Sequence, residues 1–164
     1  MESVNIGNFK TVPFDVTLTL DTAIYASGDV LTDTAPVALP RMPPDNPAAL
    51  YAEITSVQVL DEDNQGIALD LVFLKTNVSL GTKNAAVSIS DANAREIVGI
   101  VPVAAADYKA LANSQQAFPQ FNPIPMALPA AAFYVAAISR GAGTYSAAGV
   151  RLRIGVRLLN LETW

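Results

Sequence analysis

Two stretches of this chain alternate apolar and polar residues with a period of two, and that period restricts the fold before any other feature does. In Asp15-Val16-Thr17-Leu18-Thr19-Leu20-Asp21 the aliphatic Val16, Leu18 and Leu20 fall on one side and the polar residues on the other. Near the far end of the chain Val150, Leu152, Ile154, Val156 and Leu158 share one face, and Arg151, Arg153 and Arg157 the opposite one. Side chains alternate across a strand and recur every 3.6 residues on a helix, so both stretches read as half-buried antiparallel strands.

The intervening sequence fits the same class. Ala26-Ser27-Gly28-Asp29 reads as a turn leading into a short strand near Val30-Leu31. Residues 50–60 and 67–75 flank Asp61-Glu62-Asp63-Asn64-Gln65-Gly66 and are expected to pair as a hairpin around it. Ile67, Leu69, Leu71 and Phe73 share one face of the second arm, whereas Ile54 is out of phase with Val57 and Val59, as a β-bulge would make it. Residues 97–103 and 131–139 read as further strands, the latter apolar on both faces and therefore central. Two short helical excursions are expected, one at 90–97 capped by Ser90 or Asp91, the other at 104–111.

Prolines supply the rest of the pattern. Five of them (Pro36, Pro40, Pro43, Pro44 and Pro47) make an extended, stiff loop, because proline fixes φ and cannot donate to a sheet ladder. No repeat of 20 to 50 residues is visible, which argues against propellers and solenoids. The fold expected is all-β: an antiparallel β-sandwich, jelly-roll-like, with long Pro-rich loops and one or two short helices. Residues 1–12 form an N-terminal arm, 13–160 the single domain and 161–164 a C-terminal tail.

Composition then limits the chemistry. The 164 residues contain no histidine and no cysteine, which removes Ser-His-Asp and Cys-His catalysis, disulfides and thiolate metal sites. No glycine-rich phosphate loop, nucleophile elbow or metal motif occurs, so no catalytic residue, cofactor or metal site is assigned. A net charge of −5 argues against a nucleic-acid partner. The longest uncharged stretch, 110–139, is interrupted by four prolines and several amides, so no membrane span is expected. The N-terminus lacks a secretory pattern, and assembly in a cytoplasm is expected.

Four groups of residues remain as candidate contacts. Asp61 to Gly66 resembles the start of a calcium loop, but position 12 would be Val72 rather than a bidentate Glu, and a solvated turn is the favoured reading. Arg151, Arg153 and Arg157 suit pairing with the acidic strands, contact with an acidic patch on a partner, or nucleic acid. Phe118, Phe121, Ile124 and Met126 lie on a proline-stiffened segment that either closes one end of the sandwich or anchors a partner protein. Arg41 and Met42 in the proline loop and Trp164 at the terminus are candidates for the same contact, the tryptophan docking either on its own domain or on a neighbour.

Three stretches resemble small structural proteins of tailed bacteriophages. Asp21-Thr22-Ala23-Ile24-Tyr25-Ala26-Ser27-Gly28-Asp29-Val30 is similar to a D-T-x-x-Y-x-x-G-D-V segment that follows the first strand in those proteins. Leu60-Asp61-Glu62-Asp63-Asn64-Gln65 through Asp70-Leu71-Val72-Phe73 resembles a later segment of theirs, and Tyr134-Val135, Thr144-Tyr145, Gly149 and Leu152-Arg153 a third. The resemblance implies a capsid decoration, or cement, protein: a self-associated trimer or dimer on the outside of the virion head, bridging major capsid subunits, with no catalytic residues. The alternative expectation is a tail-tip or receptor-binding module for host glycans, although one Trp and five Tyr supply few stacking surfaces. A weaker third is a glycan-cleaving enzyme using two carboxylates.

Overall fold

The computed structural model describes residues 10–39 and 50–159. Among the described residues ten strands form two antiparallel sheets packed face to face, an all-β sandwich. The larger sheet holds β1 (Lys10–Thr17), β10 (Val150–Leu159) and β3 (Leu50–Asp61) side by side. The free side of β3 is shared end to end by β8 (Ile124–Leu128), which pairs with 50–54, and β7 (Ser114–Ala117), which pairs with 59–61. The short β6 (Tyr108–Leu111) closes that sheet against β7. The smaller sheet runs β2 (Val30–Ala38), β9 (Ala132–Ser139), β4 (Leu69–Leu74), β5 (Ile97–Val103).

The alternation read from the sequence sets which side chains meet between the sheets. Leu18, Leu20, Leu71, Phe73, Leu152 and Ile154 are among the residues of the central core, and the Phe73 and Phe133 rings lie 6.2 Å apart within it. The expected bulge is present: Gly155 pairs with Ser56 and Val156 with Ile54, so Thr55 is the extra residue that restores Ile54 to the core face. β9 is central and buried on both faces for a specific reason. Phe133, Val135 and Ala137 face the main core, while Ala136 and Ile138 join Val30, Val72, Leu74 and Leu80 in a second cluster. Residues 75–96, with the short helix α1 (Asp91–Ala94), carry Val78, Leu80 and Ile89 onto that cluster and cover it. Ser90 is the N-cap, accepting the Asn93 N–H at 3.2 Å.

Four expectations are corrected. Strand β1 takes in residues 10–12, which the sequence assigns to an arm, and ends at Thr17, short of the expected Asp21, although Leu18 and Leu20 stay buried and their N–H groups donate to the Val150 and Ala147 carbonyls. The second helical excursion is a single 3₁₀ turn at Ala105–Asp107, where the Asp107 carboxylate accepts the Ala104 N–H at 2.8 Å; the chain then enters β6, whose Tyr108 is buried. β2 is longer than a two-residue strand and runs through Pro36, which its edge position permits. The fourth concerns residues 61–66. They do not close a hairpin, because β3 and β4 belong to different sheets and the segment carries the chain from one to the other. The turn closes on a side chain rather than on a ladder: Asp61 Oδ1 accepts the Asp63 N–H (3.1 Å) and Oδ2 the Gly66 N–H (2.7 Å).

Candidate functional site

Parts of the three stretches singled out in the sequence, within 21–31, 61–66 and 143–149, lie far apart in sequence and meet at one end of the sandwich, whereas Phe73, Tyr134 and Val135 lie further along β4 and β9. In the first, Asp21 Oδ1 accepts the Ala23 N–H (2.8 Å), and Asp29 Oδ2 the Ala26 N–H (2.7 Å). The buried Tyr25 accepts the Asp21 N–H and donates to the Leu31 carbonyl at 3.0 Å. Gly28, at φ +97°, occupies a backbone region costly for a residue with a Cβ. Its N–H reaches the Ser139 carbonyl, and the Tyr25 N–H the Gly143 carbonyl, both at 2.8 Å.

The second and third stretches lock onto each other. Asp63 Oδ2 accepts from the Ser146 N–H (2.6 Å) and hydroxyl (2.9 Å), and the Glu62 N–H donates to the Gly149 carbonyl (2.8 Å). A Cβ on Gly149 would fall 1.7 Å from Asp63 Oδ2, so a side chain there would displace the Asp63 carboxylate from Ser146. Tyr145 packs edge-on against Tyr25, ring centroids 6.3 Å apart.

Asp61 is the buried centre of this arrangement. Desolvation pushes its carboxyl above the usual carboxylate range, and the Gly66 and Asp63 N–H groups act against that rise. Burial likewise raises the phenols of Tyr108 and Tyr145, with the Asp61 charge adding to it. The Tyr108 hydroxyl is buried without a hydrogen-bond partner among the described residues. The carboxylates of Asp61 and Asp63 face N–H and O–H donors, the arrangement of a side-chain-closed turn rather than of a cation cage. Among the described residues no group of three or more His, Cys, Asp or Glu could hold a metal ion.

The candidate contact residues divide. Arg151, Arg153 and Arg157 stand on the outer face of the larger sheet, each against a carboxylate on a flanking segment: Glu62 at 2.9 Å, Asp15 at 2.7 Å and Glu53 at 2.7 Å. The Asp15 pair is bidentate, which holds that carboxyl below its usual range and the guanidinium above its own. Pairing with the acidic strands is thus the reading the structure favours for these arginines. Ile124 and Met126 are not available to a partner. They are 9% and 2% exposed, on the inward face of β8, and Ile124 sits over Gly99, where a Cβ would come within 2.6 Å of it. Phe121 is half-buried against the core, and Phe118 remains exposed at 56%. Arg41, Met42 and Trp164 lie outside the described residues.

No protein-family model and no curated protein matches this chain. The site therefore has to be read from geometry. Four exposed aliphatic residues escape the sequence reading: Ile24, 68% exposed beside the buried Tyr25, Leu111 at the β6–β7 tip and Ile100 on β5, each 50% exposed, and Val87 at 36%. Ile24 was legible in principle, since burying Tyr25 turns its neighbour outward. Among the described residues no helix is long and apolar enough to cross a membrane.

Proposed function

We propose that this chain is a non-enzymatic virion structural protein. It acts as a decoration protein that sits on the outside of a phage head, assembles in the host cytoplasm and bridges major capsid subunits. The observation that carries the reading is the strand order. β1-β10-β3-β8 in one sheet faces β2-β9-β4-β5 in the other, with the chain crossing between them at most connections. We read this as a jelly roll, a double-sheet arrangement used by viral capsid and lectin domains. The hydrogen-bonded end where parts of the three phage-like stretches interlock supports the same reading, because a clamp gains from surfaces ordered before contact.

On this reading the partners are the major capsid protein and further copies of this chain, as trimer or dimer, with neither nucleic acid nor membrane. Many weak contacts acting together supply the grip. Phe118 is the exposed aromatic candidate on the described surface. The test is cosedimentation with purified undecorated heads, alongside light scattering of the free protein. Saturable binding, weakened by Phe118→Ala, is expected. A strictly monomeric protein that leaves heads bare would overturn the reading.

A further inference from the structure

The two faces of the sandwich are treated differently. The outer face of the smaller sheet is covered by the chain's own residues 75–96, whereas the outer face of the larger sheet carries a polar array with a depression in it. That depression, about 340 Å³, is lined by Thr17, Gln58, Gln116, Arg151 and Arg153, with Leu60 as an apolar patch. A second hollow of about 460 Å³ opens between the edges of β1 and β2, where Thr17, Thr19, Asp33 and Thr34 line it. Asp15, Val16 and Thr17 border both, so the hollows adjoin across the end of β1. Two register breaks in β2, between Val30 and Thr32 and between Thr32 and Ala35, take Asp33 and Thr34 out of simple alternation beside the second hollow.

We propose that this rim around β1 binds a neutral saccharide chain. Both hollows are open surface depressions, a shape across which a chain can lie. Sugar hydroxyls both donate and accept, and the rim offers both: guanidinium and amide N–H groups, carboxylate and amide oxygens, and threonine hydroxyls. Arg153 spends its Nε and one Nη on Asp15, and Arg151 its Nε on Glu62, so each keeps further N–H groups for a ligand. Both pairs are exposed, with side chains 60% and 70% open for Arg153 and Asp15, so they hold loosely and can share their atoms.

Other ligand classes fit worse. Asp15 and Asp33 balance Arg151 and Arg153 in the lining, so the rim has no excess of positive charge to hold an anion. Pro13 in β1 and Pro36 in β2 interrupt the donor rows that an added peptide strand would need. The proposal does not depend on the capsid reading, and its test uses the isolated protein.

Maltohexaose, cellohexaose and chitohexaose are titrated separately into ¹⁵N-labelled protein at millimolar concentration, with inorganic phosphate as the anion control. At least one sugar gives saturable shifts centred on Asp15, Thr17, Thr19, Gln58 and Arg153, and phosphate gives none there. Replacing Gln58 and Gln116 together by Ala, or Asp33→Ala, weakens that affinity on the order of tenfold while leaving the melting midpoint unchanged. The proposal is overturned by the absence of saturable shifts with all three sugars, by equal shifts with phosphate, or by affinity that survives both variants.

Discussion

Asp61 shows how far a residue's role can depart from its place in the sequence. It opens an acidic hexapeptide that reads as solvated, yet it is fully buried and holds two backbone N–H groups. Asp61→Ala leaves both donors without their acceptor, and a loss of about 2–4 kcal/mol is expected in urea denaturation. Asp61→Asn keeps one acceptor oxygen and costs less. The pH dependence has a definite sign. The folded state holds the Asp61 proton more tightly than the unfolded chain, so the residue contributes most to stability below its ordinary value of 3.8. That part fades as pH rises through the higher folded value. Destabilisation by Asp61→Asn is therefore larger in acid than at neutral pH, and a penalty independent of pH would contradict this account. Asp15 has the opposite sign, because its carboxyl is held down by Arg153 and that contribution fades as pH falls. Ala112, at φ +62° in the β6–β7 tip, occupies a region glycine tolerates better. Ala112→Gly is expected to stabilise by a few tenths to about 1 kcal/mol, read as a higher denaturation midpoint.

At the scale of elements, the sequence revealed faces but not partners. Alternation located β4 and β10 and even the bulge at Thr55, because period and phase are local, but the 15–21 alternation overlaps β1 only at 15–17. It could not tell that β3 pairs with β10 and not with β4, since both are strands with one apolar face and only the three-dimensional closure of the 61–66 turn decides between them. The 104–111 stretch misled for a related reason. Its alanines favour a helix, but burying Tyr108 beside β7 overrides that local preference. Apart from Pro102, which falls in the expected 97–103 strand, the prolines read as loop formers. Within the described strands they occupy Pro13, Pro36, Pro102 and Pro125, all on strands with a free edge. This is how sheets avoid joining edge to edge. Pro102→Val on β5 is expected to increase self-association, measured by light scattering against concentration. The cover over the smaller sheet makes another prediction. Leu80 is 3% exposed against Val72 and Leu74, so Leu80→Ala should cost about 2–4 kcal/mol. Because β4 and β9 serve both clusters, the loss should appear as one shifted transition, with near- and far-ultraviolet signals coincident.

For the whole molecule, the sandwich and its central strand were legible, while the surfaces were not. Of the contact residues picked from the sequence, Ile124 and Met126 turned inward because β8 continues the alternation that the prolines seemed to interrupt. The rim around β1 was invisible, since it joins residues from 15, 33, 58, 116 and 153 that only folding assembles. The same closure orders events in time. Among the described strands β1 has its ladder only with β10, Lys10 opposite Leu158, so the first of these strands to leave the ribosome waits for the last of them. At roughly 5–20 residues per second that wait is on the order of ten seconds. β2 waits in the same way for β9. Throughout that interval the apolar side of β1 has no ladder partner beside it, and Pro13 in that strand limits pairing with a neighbouring nascent chain.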